Sequence, residues 1–191
     1  AGNQISGNYI GTKKNGEEAL GNGGSGVWIR NGAHSNVVGT DGDGVGDAVE
    51  GNVVSGNGFD GIVLEGTGVS GNIVAGNYIG VDATGTLALG GNHFGVLVKA
   101  GAHGNRIGTN GDGLGDADER NIISGNQWDG VFIGDAGTDA NRVAGNYIGV
   151  DVTGENALGN NFGVRIDNGA QSNLIGTDTD GVADLAEWNV I

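Results

Sequence analysis

Three ten-residue segments of the chain concentrate oxygen-bearing side chains that could bind a metal ion. Each segment carries Asp, Asn or Glu at relative positions 1, 3, 7 and 10, with glycine between several of them. These residues are Asp41, Asp43, Asp47 and Glu50; Asn110, Asp112, Asp116 and Glu119; and Asp178, Asp180, Asp184 and Glu187. Carboxylates packed this densely repel one another unless a cation lies among them, and Ca²⁺ prefers several oxygen ligands on a flexible loop.

A main-chain oxygen can complete each set of ligands. The carbonyl of the fifth residue, which is Val45, Leu114 or Val182, lies between the third and seventh positions. The segments, called the acidic loops below, therefore predict a calcium site in each. Mg²⁺ fits less well because it prefers fewer protein ligands in a rigid octahedron. The alternative is a solvated acidic loop that binds no ion.

The sequence gives little support to acid–base catalysis. Hydrolysis of a glycosidic bond requires two carboxyl groups that face one cleft, and a catalytic pair is expected to interrupt a repeat, whereas the acids here recur with it. Arg106 and Arg142 also occupy equivalent positions in the second strand of successive coils, and we expect them to face solvent. No catalytic residue is predicted.

The elements that position these loops repeat every 69 residues. The phrase Gly7-Asn8-Tyr9-Ile10-Gly11 recurs at 76–80 and at 145–149. The repeats are 7–75, 76–144 and 145–191, within a single domain over 1–191. Because the chain starts and stops inside repeats, we expect it to be a piece of a longer protein.

Short apolar phrases within each period predict strands. Gly-apolar-x-apolar phrases begin at Gly26, Gly61, Gly95, Gly130 and Gly163, about half a period apart. Consecutive strands are too close in sequence for an ordinary parallel crossover, so each must turn a corner and pair with its copy in the next coil. The predicted fold is all-β, a right-handed parallel β-helix of about 5.5 coils of about 34 residues, two coils per repeat. A rival division gives three coils of about 23 residues per period.

Asparagine follows glycine at many of the expected corners. Asn8, Asn57, Asn77, Asn126 and Asn146 stand in this position. Asparagine tolerates the left-handed conformation, and its amide can bond to its own copy one coil away. We therefore expect an asparagine ladder.

These phrases resemble the repeats of right-handed parallel β-helices in the pectate-lyase-like superfamily. Asn121-Ile122-Ile123-Ser124-Gly125-Asn126 and Gly130-Val131-Phe132-Ile133 carry the resemblance, which implies the fold but no particular activity. The Asn-Thr-Asp, Asp-Asp and Arg-x-Lys phrases of polygalacturonase-like members are absent, as is the proline of the lyase motif. The acidic loops resemble the Asp-x-Asp-Gly calcium loops of extracellular bacterial and thrombospondin-type repeats.

The middle residue of each Gly-apolar-x-apolar strand is expected to point outward. This outward row consists of Trp28, Val63, Leu97, Phe132 and Arg165. Four successive apolar side chains on a solvent face indicate an interaction surface, which could bind a polysaccharide or a second copy of the chain. The alternative is that neighbouring loops cover the row.

A second kind of loop alternates with the acidic loops along the chain. It runs from Val81 to Asn92 and from Val150 to Asn161, and an earlier copy starts at Thr12. Lys13 stands where Asp82 stands, so this neutral loop does not require an acid. It is predicted to be a surface turn.

Composition excludes several classes of function. The net charge is −15, with only 8 Lys and Arg, which disfavours nucleic acid as a partner. No apolar run is long enough to span a membrane. We expect a non-catalytic, calcium-stabilised structural or adhesive segment of a bacterial surface or secreted protein, located outside the cell or on its surface. The alternative is a carbohydrate-active enzyme or sugar-binding module whose active site lies outside this segment. The cut ends expose unpaired strands, which could also promote self-association.

Overall fold

The computed structural model describes residues 1–191 and consists of short strands wound into coils. In chain order the strands are β1 (Gln4–Ile5), β2 (Tyr9–Ile10), β3 (Val27–Arg30), β4 (Val37–Gly39), β5 (Val53–Val54), β6 (Ile62–Glu65), β7 (Ile73–Ala75), β8 (Tyr78–Ile79), β9 (Val96–Lys99), β10 (Arg106–Gly108), β11 (Ile122–Ile123), β12 (Asp129–Gly134), β13 (Arg142–Ala144), β14 (Tyr147–Ile148), β15 (Phe162–Asp167) and β16 (Leu174–Ile175). The one helical turn, α1, spans Asp47–Glu50. No helix is both long and apolar enough to cross a membrane.

The strands form three parallel sheets, each of which takes one strand from every coil. Sheet A has the order β1-β4-β7-β10-β13-β16, sheet B the order β2-β5-β8-β11-β14, and sheet C the order β3-β6-β9-β12-β15. There are thus five complete coils and the start of a sixth, in which Val190 bridges to Tyr147 of sheet B. The predicted parallel solenoid with coils of about 34 residues is confirmed. Its right-handed sense stays a prediction.

The two kinds of loop leave the coil at different corners. Neutral loops connect sheet B to sheet C in the first, third and fifth coils, each as a small hairpin closed by an antiparallel bridge such as Val81 to Ala88. Acidic loops connect sheet A to sheet B in the second, fourth and sixth coils. The 69-residue period is therefore a pair of unlike coils, and the division into three coils per period is wrong.

Small aliphatic side chains fill the interior of the coil. A cluster of 18 buried residues runs through it, and Ile62, Leu64, Ile79, Ile107 and Ile133 are among those with no exposed surface. Within each sheet the same kind of side chain stacks on its copy in the next coil, as Ile62 does on Val96. This stacking allows a narrow core to reach the packing density of a larger domain.

Asparagine side chains line all three corners and form three continuous ladders. The ladders are Asn3-Asn36-Asn72-Asn105-Asn141-Asn173, Asn8-Asn52-Asn77-Asn121-Asn146-Asn189 and Asn22-Asn57-Asn92-Asn126-Asn160. At each step the Nδ2 amide donates to the Oδ1 atom of the next asparagine over 2.7–3.2 Å. The predicted ladder is confirmed. Asn3 and its equivalents form an additional ladder, and Asn52 and Asn121 make the Asn8 ladder continuous from coil to coil.

The ladders have one direction throughout the molecule. Asn77 accepts bonds at Oδ1 from the backbone N–H and the side chain of Asn52, and donates from its own backbone N–H and Nδ2 to Oδ1 of Asn121. Its Nδ2 also donates to the carbonyls of Val38 and Ala75. The side chain of this fully buried residue therefore satisfies main-chain groups that a tight corner would otherwise leave unpaired.

At the five predicted corners the left-handed residue is the glycine before the asparagine, which corrects the expectation that asparagine takes that conformation. Gly76 has φ 71° and Gly145 has φ 70°, whereas no ladder asparagine has a positive φ. A side chain at Gly76 would also approach the carbonyl oxygen of Asp118 to 2.7 Å. Glycine adopts the left-handed backbone of the turn, and the asparagine side chain forms hydrogen bonds with the main-chain groups around it.

Removal of one ladder amide is expected to destabilise the whole solenoid. Asn77→Ala leaves two donors of Asn52 without their acceptor, so we expect a loss of about 2–4 kcal/mol. The measurement is urea unfolding followed by circular dichroism. Asn161→Ala is the matched control, because Asn161 is exposed and its side chain lies outside the ladders; it should change stability by less than about 0.5 kcal/mol. Equal stability of the two variants would contradict the structural role of the ladder.

Candidate functional site

Each acidic loop is folded by a threonine that precedes it. The Oγ1 atoms of Thr40, Thr109 and Thr177 donate to the seventh-position aspartates Asp47, Asp116 and Asp184 over 3.0, 2.6 and 3.2 Å. The same oxygens accept the backbone N–H two residues along. Sequence reasoning missed this role, although the threonine recurs with the period of the loop.

The tenth-position glutamate closes the loop onto its first residue. Glu50 accepts the N–H of Asp41 over 3.3 Å, and Glu119 and Glu187 accept the equivalent N–H groups over 2.9 and 3.0 Å. The hydrogen bonds of the threonine and the glutamate thereby draw the first, seventh and tenth residues of each acidic loop together.

Two of the three loops bring three carboxylates to one point. Carboxylate oxygens of Asp41, Asp47 and Glu50 lie within 4.8 Å of one another, and so do those of Asp178, Asp184 and Glu187. In the second loop Asn110 takes the first position, and its Oδ1 atom accepts the N–H of Asp112 over 2.9 Å. These groups offer the hard oxygen donors that Ca²⁺ binds.

The third- and fifth-position residues lie outside these groups. Asp43, Asp112 and Asp180 accept the N–H of Val45, Leu114 and Val182 over 2.8, 2.8 and 2.7 Å, which makes an exposed turn in each loop. The side chains of Val45, Leu114 and Val182 are exposed, and none of their carbonyl oxygens accepts a hydrogen bond within the protein. Of the predicted ligands, the structure thus gathers those at positions 1, 7 and 10 in the first and third loops.

Arginine neutralises two of the loops from within the protein. Arg106 Nη1 lies 2.7 Å from Glu119 Oε1, and Arg142 contacts Glu187 and, over 3.3 Å, Asp178. Glu119 and Glu187 are 0% and 1% exposed, and breaking such a buried pair is costly. The expectation that Arg106 and Arg142 face solvent is therefore wrong, because the returning loops fold over both side chains.

The first acidic loop has no such partner. None of Asp41, Asp43, Asp47 and Glu50 has a basic group within 4.0 Å. The side chain that reaches Glu50 is that of Gln4, which is neutral and donates over 3.5 Å. The negative charge of this loop is the least compensated of the three.

The outward row has the predicted register but is not an open apolar face. The paired positions run from Trp28 through Val63, Leu97 and Phe132 to Arg165. Val63, Leu97 and Phe132 are only 3%, 6% and 8% exposed and pack together with Phe94. Only the ends of the row are accessible: Trp28, which donates to Glu65, and Arg165, which lies over the Phe132 ring.

A column of aromatic rings beside this row was not predicted. His93 stacks on Trp128 with ring centres 4.5 Å apart, and Phe59 meets His93 edge-on at 5.6 Å. Phe59 and Trp128 remain about half exposed. The residues of this aromatic column, Phe59, His93 and Trp128, differ in type but stand one coil apart, so a search for identical residues does not find them.

The two acidic residues nearest the aromatic column, Asp60 and Asp129, are held by burial and by bonds within the fold. Burial raises the pKa of Asp60, although hydrogen bonding to Phe94 and the charge of His93 oppose the shift. Asp129 is 1% exposed and bonds to Arg165 Nε over 2.8 Å. A substrate therefore has no access to the Asp129 carboxylate.

The neutral loops also depend on acids, which corrects their description as simple surface turns. Asp82 and Asp151 are 2% and 4% exposed, and Asp82 Oδ1 accepts the N–H groups of Thr86 and Leu87 over 3.0 Å each. In the first copy Lys13 replaces the aspartate and pairs with Glu18. The acid is thus dispensable in one copy but organises the loop in two.

Comparison with known proteins identifies no relative: no family model, no curated protein and no solved structure matches the chain. Membership of the pectate-lyase-like superfamily stays a prediction.

Hydrogen bonds to the neutral-loop acids give a testable dependence of stability on pH. Hydrogen bonds from Thr153 and Asn156 hold the pKa of Asp151 well below 3.8. Burial would raise the pKa of Asp82, but bonds from Thr84, Leu87 and Thr86 outweigh it and lower the value. A lowered pKa means that the stabilisation is complete above the unfolded-state value and is lost as the pH falls below it.

We expect the double variant Asp82→Asn/Asp151→Asn to melt below the wild type at neutral pH. The difference should shrink as the pH falls from about 5 to about 2, because the unfolded wild type then takes up protons that the folded protein resists binding. Differential scanning calorimetry measures both melting temperatures. Glu155→Gln, an exposed acid of the same loop, should follow the wild type at every pH, and a difference that grew on acidification would contradict the prediction.

Proposed function

We propose that this chain is a non-catalytic, calcium-stabilised β-helical segment of a bacterial surface or secreted protein, which acts as a rigid spacer or adhesive stalk. The observation that carries the proposal is the convergence of three carboxylates within 4.8 Å at Asp41, Asp47 and Glu50, with no basic group in contact. A divalent cation at that point would offset the repulsion and tie both ends of the loop together.

The regularity of the molecule supports a structural role. Both loop types recur every second coil, and three ladders run through the length of the solenoid. The buried acids Asp82, Glu119, Asp129 and Glu187 each bond to a neighbouring group of the fold. A scaffold of this kind holds its ends at a fixed separation, which suits a spacer.

The loops should differ in their affinity for calcium. The guanidinium group of Arg142 touches two acids of the third loop, and Arg106 holds the glutamate of the second. A cation there would have to displace or lie beside a positive charge. The first loop should therefore bind Ca²⁺ most tightly, with Asp41, Asp47 and Glu50 as ligands and the carbonyl of Val45 available as another.

Calcium titration of metal-stripped protein tests this proposal. Isothermal calorimetry should show binding that Asp41→Asn/Glu50→Gln weakens at least tenfold, because two charged ligands are lost. Glu155→Gln is the control acid outside the acidic loops and should bind as the wild type does. Absence of heat with Ca²⁺, or equal heat from the first-loop variant, would refute the calcium site while leaving the solenoid in place.

A sugar-binding module, or a carbohydrate-active enzyme with its active site outside this chain, is the second candidate. The half-exposed rings of Phe59 and Trp128, stacked with His93 on a rigid corner, favour it. Flat aromatic rings of this kind present apolar faces to a ligand.

A glycan array distinguishes the two candidates. A sugar-binding module should give signals that Trp128→Ala or Trp28→Ala reduces at least tenfold, since each removes an exposed ring. Trp188→Ala, which removes a ring 59% exposed near the third acidic loop, is the matched control. A spacer should bind no glycan in any form, so silence of the wild type on the array would exclude a sugar-binding module and favour the spacer.

A further inference from the structure

A trough of about 410 Å³ lies on the outer face of sheet B. Its floor is formed by the outward residues of that sheet, among them Tyr9, Val53, Tyr78 and Ile122. Neutral loops form one wall, through Ala83 and Val152, and the acidic loops form the other. The size is that of a ligand site in proteins.

A tyrosine stands at every second coil of sheet B, and two of the three, Tyr9 and Tyr78, line the trough. Tyr9, Tyr78 and Tyr147 occupy the same register of sheet B, with Val53 and Ile122 between them. Strands of neighbouring coils lie about 4.8 Å apart, so the tyrosines repeat about every 9.6 Å along the axis. A ligand that uses all of these rings must have a matching repeat.

The tyrosine rings are fixed, whereas their hydroxyl groups are free. Glycines of the neutral loops pack against the rings: a Cβ atom at Gly85 would lie 3.1 Å from Tyr78, and one at Gly154 would lie 3.0 Å from Tyr147. None of the three hydroxyl groups has a hydrogen-bond partner within the protein. Burial, and then the charge of Asp82, raise the pKa of Tyr78, so its hydroxyl keeps its proton and stays a donor.

The spacing of the tyrosines matches the repeat length of one polypeptide conformation better than that of the others. A polyproline II helix has three residues per turn and rises about 3.1 Å per residue, so its faces recur about every 9.3 Å. Three residues of a β-strand span a similar length of about 9.9 Å, but the third-following side chain points to the opposite face. An α-helix presents the same face every seven residues, or about 10.5 Å, which misses by about 1 Å per period.

The charged residues of the trough determine which ligand side chains it attracts. Asp118 is exposed in the wall of the trough, and Arg120 is the one basic residue among the lining side chains. Asp47 also borders the trough but is buried and accepts hydrogen bonds from Thr40 and Gly44. The guanidinium of Arg120 lies 4.2 Å from the Tyr147 ring centre, at one end of the row. The rest of the trough therefore favours a basic partner, in a molecule whose net charge is −15.

We propose that this trough binds a basic, proline-rich peptide in the polyproline II conformation, with one turn of the peptide for each 69-residue repeat. Prolines lie on the tyrosine rings, which is how aromatic-lined grooves recognise such peptides. The hydroxyl groups donate to peptide carbonyls, which are unpaired within a polyproline II helix, and a lysine or arginine side chain of the peptide reaches the exposed carboxylate of Asp118. Asp47 borders both the trough and the proposed calcium site of the first loop, so the two sites adjoin at this residue.

Nuclear magnetic resonance of the isotope-labelled chain tests the proposal, with EDTA present so that calcium plays no part. The probe is a synthetic peptide of three Pro-Pro-Lys triplets. We expect amide shifts confined to sheet B and its flanking loops, and binding at least tenfold weaker in Tyr9→Ala, whose ring is exposed at one end of the row. Tyr78→Phe, which keeps the ring, should weaken binding less.

Matched controls separate the alternatives. Trp128→Ala, which removes an exposed ring outside the trough, should bind the peptide as the wild type does. A peptide of three Gly-Ser-Lys triplets has the same charge without the helix; if it bound equally well, attraction would be by charge alone and the proposal would be overturned. Absence of shifts up to millimolar peptide would overturn it too, as would shifts in the trough caused by cellohexaose or chitohexaose but not by the peptide.

Discussion

The structure depends on the need to pair every buried asparagine amide with its copy in the next coil. An amide enclosed at a corner of the solenoid is costly unless its donors and acceptor are all used. Because Oδ1 of one residue accepts both N–H groups of the asparagine before it, each coil must place its asparagine directly over the last. The same condition excludes any coil whose corners are displaced.

Electrostatic repulsion between the stacked acidic loops is the main destabilising interaction in this scaffold. The acidic loops leave the same corner in alternate coils, so copies lie about 9.6 Å apart, which is close to the screening length in ordinary salt. The protein relieves part of the repulsion with Arg106 and Arg142, which stand at equivalent positions of neighbouring strands and reach glutamates of different coils. The first loop lacks this compensation, and the three loops are therefore alike in backbone but unlike in charge.

Periodic features could be predicted from the sequence, while contacts between unlike residues could not. The Gly-apolar-x-apolar and Gly-Asn phrases determine the strands, the corners and the pairing of Val63 with Leu97, because each residue meets its own copy. The burial of Val63 and the pairing of Arg106 with Glu119 depend on how far a neighbouring side chain or loop folds back, which spacing alone does not reveal. Thr40 and Asp82 were predictable in principle, since both types recur with the period and can cap a turn.

The alternation of neutral and acidic coils limits how such a protein can change in length during evolution. Loss of one neutral coil, or gain of one acidic coil, would bring two acidic loops to a single strand spacing of about 4.8 Å, which would double the charge density at that edge. Loss or gain of a pair of coils keeps every ladder, every wall of the trough and every distance between acids. Duplication and deletion should therefore be tolerated in blocks of 69 residues, and the length of the rod is a quantity that recombination can adjust without redesigning its surface.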